Sequence, residues 1–92
     1  MLNHVVLMGE ITEINKNGVL LQIDDKTIIQ INLSPRFQEL VEEHYSSELI
    51  LTIKGSLVLD NHNHVSVEAS VIQFHNKDKE EMKSYQNKDI SR

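Results

Sequence analysis

The chain has 92 residues, with nine Lys+Arg against fourteen Asp+Glu for a net charge of −5, four aromatic residues and no cysteine. That length makes one domain with a single modest core. The missing cysteine excludes disulfides and thiolate metal sites, no stretch reaches the roughly 20 apolar residues that cross a bilayer, and the acidic balance works against non-specific attraction to phosphate. A cytoplasmic protein of a reducing compartment, away from membranes, is the expectation.

The first segment, MLNHVVLMGEITEI, has no basic start, long apolar run or small-residue cleavage site, so it is expected to belong to the folded body rather than to a leader. Val5, Leu7, Gly9 and Ile11 alternate with Val6, Met8, Glu10 and Thr12 as in a strand, and the turn that follows places Gly18 where positive φ is needed. Val19, Leu21 and Ile23 alternate next. Asp24-Asp25-Lys26 interrupts them, and Ile29, Ile31 and Leu33 resume the period, so a hairpin is predicted. Ser34-Pro35 sets a capping residue and a proline before SPRFQELVEEHYSS, where Phe37, Leu40, Val41 and His44 or Tyr45 recur at helical spacing.

After Ser47 the period returns to two. Leu49, Leu51, Ile53, Gly55, Leu57 and Leu59 share one face, and Asp60-Asn61-His62-Asn63 forms a loop. In the last predicted strand Val65, Val67, Ala69 and Val71 point inward, while Ile72 and Phe74 imply a bulge or change of face. Residues 1–75 hold four basic side chains against ten acidic ones, and residues 76–92 hold five against four. The latter segment offers only Met82, Tyr85 and Ile90 for burial, so a charged, flexible tail, disordered or weakly helical over 77–85, is predicted. The whole reads as an all-β protein: a five-stranded OB-fold Greek-key barrel over 1–75, with one helix between strands 3 and 4 and the tail over 76–92. Gly9 and Gly55 fit the places where such a barrel bends its long strands.

Two stretches carry a family resemblance. MLNHVVLMGEIT resembles the opening of bacterial single-stranded DNA-binding proteins, and TIIQINLSPRFQELVEEHYSSELILTIKGSLVL resembles their third strand, helix and fourth strand without a gap. Between the two, the arm that projects as a long β2–β3 hairpin in that family is cut to the turn at Asp24-Asp25-Lys26. The resemblance implies an OB-fold, a role in replication or recombination, and a homodimer, or a larger tetramer, assembled through the first strand. Leu2, His4, Val6 and Met8 are the interface candidates, with His4 standing where the family is usually basic. Ile28 and Ser34 occupy the two places where the family presents stacking aromatics around the third strand, and the NKDISR end lacks its acidic, apolar tip.

The residues alternating with the core set are Gln22, Lys26, Ile28, Gln30, Asn32, Thr52 and Lys54, and these are the candidate nucleic-acid contacts. A general single-strand binder joins a cationic groove to aromatic platforms, and here amides and one apolar side chain must substitute for them. Weak, non-sequence-specific binding of single-stranded DNA is therefore expected. The alternative is an OB-fold interaction subunit of a replication or primosome complex, with little DNA binding of its own. Neither implies a cofactor. His62-Asn63-His64 has chelate-like spacing but no third ligand at a defined interval, so no metal site is assigned. With no phosphate loop and no recognisable nucleophile setting, no catalytic residue is assigned and an enzyme is not expected.

Overall fold

The computed structural model describes residues 3–76 and 81–86. Six strands and one helix follow in the order β1 (His4–Asn15), β2 (Gly18–Gln22), β3 (Ile28–Asn32), α1 (Pro35–His44), β4 (Leu49–Leu59), β5 (Val65–Asn76) and β6 (Glu81–Gln86). Neighbours in the sheet run β3-β2-β1-β4-β5-β6, each pair antiparallel. A short parallel pairing of Gln30–Asn32 with Ser66–Glu68 joins β3 to β5, so the sheet closes partly into a ring.

Strand β1 serves two neighbours in turn: His4–Gly9 pairs with β4, and Glu10–Asn15 pairs with β2. Gly9 stands at this handover, where a Cβ would collide with the Gln22 carbonyl oxygen, so only glycine lets the crossing strands approach. A bulge between Ile11 and Glu13 then restores Ile14 to the core side. A second bulge, at Ser70, lies opposite Lys54 and Gly55.

The predicted face change in the last strand is found at this bulge. Before it Val67 and Ala69 point inward, and after it Ile72 and Phe74 do. Val71, predicted inward, is instead half-buried on the opposite side, because the extra residue inverts the parity of everything after it. Leu57, Leu59 and Val65 keep their predicted alternation but are exposed, since the β4–β5 hairpin runs past the end of the core.

The core joins Val19, Leu21, Ile31, Leu51, Ile53, Val67 and Ile72 of the sheet to Phe37, Leu40 and Val41 of the helix. Burying each such side chain contributes about 1.5–3 kcal/mol. The helix starts where Ser34 Oγ accepts the Phe37 N–H at 3.2 Å, with Pro35 in its first turn. Gln38 Nε2 donates to the Asn15 carbonyl at 2.9 Å and ties the helix to the end of β1. At its C-terminal end His44 stacks on Phe74, ring centroids 4.6 Å apart and nearly parallel.

The predicted tail is corrected in part. Glu81–Gln86 forms a sixth strand where disorder or helix was expected, while residues 77–80 and 87–92 lie outside the described residues. The cause lies in β5, whose edge toward β3 is used only through Ser66–Glu68. Past the bulge its N–H and C=O groups need partners, and β6 supplies them from Val71 to Asn76. Tyr85 anchors the pairing by packing edge-on to both Phe74 and His44.

Candidate nucleic-acid interface

The outward side of the β2–β3 hairpin is set by its register. Gln22 stands opposite Ile28, Leu20 opposite Gln30, and Gly18 opposite Asn32. Alternation turns Ile29 and Ile31 inward, which leaves Ile28, Gln30 and Asn32 outside, with Ile28 52% exposed.

The three amides are already engaged. Gln22 Nε2 donates to the Asp24 carbonyl at 3.1 Å, Gln30 Oε1 accepts from Asn15 Nδ2 at 2.9 Å, and Asn32 Nδ2 donates to Ser66 Oγ at 3.1 Å. They form a fixed polar surface rather than loose side chains. Lys26 sits exposed at the hairpin tip, its N–H donated to Asp24 Oδ1 at 2.8 Å. That hydrogen bond is the main reason the Asp24 carboxyl is held below its ordinary value, with the Thr27 side chain next in importance. Carboxylates also border the surface: Glu10 pairs opposite Gln22, Glu13 opposite Leu20, and Glu68 opposite Asn32.

Thr52 and Lys54 are not part of this surface. They lie on β4, Thr52 between Met8 and Gln73, Lys54 between Val6 and Val71. From Lys54 the sheet reaches Gln30 either along β4 to Val58, across to Ser66 and on to β3, or through Val6 and along β1 to Glu13, then across Leu20. The seven candidates therefore fall into two groups. The second group interleaves with the interface candidates Val6 and Met8, while His4 pairs opposite Ser56 and Leu2 lies outside the described residues. Sequence reasoning missed Ile50, Val71, Gln73 and His75 on this second face. The parity change at Ile72 and Phe74 was the signal that could have placed the last three.

The four aromatic side chains stay off the β2–β3 surface. Phe37 and Phe74 are buried, Tyr85 packs on Phe74, and Tyr45 is exposed at the end of α1. The loop between β4 and β5 holds two exposed imidazoles, His62 and His64, with ring centroids 6.0 Å apart. Asp60 organises the loop: its Oδ1 accepts the N–H groups of His62 at 2.7 Å and His64 at 3.0 Å, and its Oδ2 lies 3.3 Å from His64 Nδ1. The backbone N–H of His64, then that of His62, hold the Asp60 carboxyl below its ordinary value. Among the described residues no group of three or more His, Asp or Glu side chains could hold a metal ion. None of their helices is long and apolar enough to cross a membrane.

Comparison with protein-family models, with curated proteins and with solved structures found no match for this chain.

Proposed function

We propose that this chain is an OB-fold protein of the single-stranded DNA-binding kind, binding weakly and without sequence preference, and acting in the cytoplasm in replication or recombination. One observation carries the proposal: the ring β1-β2-β3-β5-β4 with its helix between β3 and β4. That arrangement supports the OB-fold reading, and an OB-fold binds oligonucleotides on the face of strands 2 and 3 and on the loops after strands 1 and 4.

Here those parts adjoin one another. Asn17, in the loop after β1, accepts the Leu33 N–H at 3.0 Å, which sets Lys16 and Asn17 at the Asn32 end of the hairpin. The parallel register of Ser66 with Gln30, continued back along the chain, brings the loop after β4 toward the Ile28 end. A single strand lying on this surface would meet Lys16, the amides of Asn32, Gln30 and Gln22, the Ile28 side chain and Lys26. His62 and His64 would flank it.

Each stacked base contributes about 1–3 kcal/mol on an aromatic platform, so a surface with Ile28 and two imidazoles in that role binds weakly. Fluorescence anisotropy with labelled oligo-dT at low salt tests it. Binding in the micromolar range is expected, weakened about tenfold by Ile28→Asp combined with Lys26→Glu, and unchanged by Lys54→Ala. No binding at high micromolar protein, or loss with Lys54→Ala alone, would refute the assignment.

A second reading, a protein-interaction subunit of a replication complex, is favoured by the apolar outer side of β1, β4, β5 and β6, where Val6 and Met82 are 64% and 62% exposed.

A further inference from the structure

The outward side of β1, β4, β5 and β6 is laid out in rows by the sheet register. Val6, Lys54, Val71 and Gln86 stand abreast, and Met8, Thr52, Gln73 and Ser84 form the next row. Ile50, His75 and Met82 complete a third. Five of these side chains are apolar, and the three on the outer strands, Val6, Met8 and Met82, are 64%, 62% and 62% exposed. No carboxylate stands in any row, although the chain carries fourteen. Carboxylates stand at the borders of the face: Glu48 lies two residues before Ile50, Glu10 lies beyond the Gly9 crossing and lines one pocket with Asp24, Asp25 and Ile50, and Glu68 lies beyond the Ser70 bulge. The side chains that are cationic or become so on protonation are Lys54 at the centre of the first row, His75 in the third, and His4 two residues before Val6 on β1.

From these observations we infer that this face docks a short segment of a partner protein in which acidic side chains alternate with apolar ones. The charge pattern selects the occupant. Within its three rows this face presents only cationic, neutral and apolar groups, and the carboxylates of this acidic protein stand outside them. Size selects against a second copy of the chain. Four strands about 4.8 Å apart and five residues at about 3.4 Å each outline on the order of 300 Å², against the about 800 Å² that each partner of a stable dimer buries. Methionine at two margins suits a peptide, because its unbranched side chain repacks around different apolar groups. The inference deepens the protein-interaction reading of this face and does not depend on nucleic-acid binding, which is proposed for the β2–β3 surface.

The test is fluorescence anisotropy of a labelled peptide alternating aspartate and leucine, with one alternating lysine and leucine as its comparison. The aspartate peptide is expected to bind in the micromolar range, about tenfold or more weaker with Lys54→Glu and with Met82→Asp, and unchanged with Ile28→Asp. Both single variants alter exposed positions, and circular dichroism confirms that each is folded. Equal binding of the lysine peptide, or indifference to both variants, overturns the inference. Displacement of the peptide by oligo-dT would assign the face to nucleic acid, and self-association abolished by Met82→Asp would assign it to a second copy. Either result also overturns it.

Discussion

A Cβ at position 55 would sit inside van der Waals contact of the Glu68 carbonyl oxygen, which is backbone and cannot step aside. Gly55→Ala must therefore push β4 and β5 apart beside the Ser70 bulge, and a loss of about 3 kcal/mol is expected in denaturant unfolding. An unchanged midpoint would show that the two strands have slack there. Asp60 behaves differently because its role depends on charge. Its carboxyl is depressed in the folded state, so the stability it adds is present above the unfolded value of about 3.9 and disappears as pH falls through the lower folded value. Asp60→Ala should lower the melting temperature at neutral pH, and the gap to the unmodified protein should narrow as pH falls below ~4. A gap that stays constant down to the acid limit would mean that the loop does not use the ionised carboxylate. Both residues were visible in the sequence as types, a glycine inside a strand and an aspartate opening a loop. The Glu68 carbonyl beside Gly55 was not visible, because the two meet only through the hairpin register, whereas the partners of Asp60 are local, two and four residues along the chain.

Among the elements, the hairpins and the helix were legible because each carries a strong local signal. The turn at Asp24-Asp25-Lys26 and the Ser34-Pro35 start are found where they were predicted, and the period of the buried side chains holds up to the Ser70 bulge and the outer end of the β4–β5 hairpin. Strand β6 was not legible. EMKSYQ has only Tyr85 to pack against the core, and its conformation is decided by the open edge of β5 rather than by its own propensity. Deleting residues 77–92 tests this division. The ring β1-β2-β3-β5-β4 should remain folded, with a stability loss of about 1–3 kcal/mol from the missing pairing and the uncovered His44–Phe74 stack. The truncated chain should also associate more readily with rising concentration, through the bared Val71–Asn76 edge. Complete unfolding on truncation would make β6 part of the essential core.

For the molecule as a whole, charge and edge pairing govern assembly. Among the described residues His4–Met8 pairs with β4 on one side and has no strand on the other, since the β2 ladder begins at Glu10. Two copies joined there would extend the sheet and double the apolar outer face, the homodimer that the opening strand's resemblance implied. Sedimentation should give a dimer mass that falls to the monomer with Val6→Asp, because like charges then meet across the two-fold axis. A monomer mass for the unmodified chain would leave the first strand as a barrel wall alone. The two candidate surfaces could not be separated in the sequence, because alternation tells inside from outside but not which outward residues are neighbours. Thr52 and Lys54 were grouped with Gln30 for that reason, although the sheet seats them beside Met8 and Val6.

The closure of the ring has a further consequence, for motion. It rests on the short parallel seam of Gln30–Asn32 with Ser66–Glu68, whereas Ile53 is flanked along its length by β1 and β5. Local opening should therefore begin at the seam. The amides of β3 and of the first residues of β5 should exchange with solvent deuterium at a lower free energy than those around Ile53, which should open only on global unfolding. Uniform exchange across both regions would show instead that the barrel opens as one cooperative unit. A wall that breathes along a single line can widen beside the β2–β3 surface while the sheet of β1, β4 and β5 stays rigid.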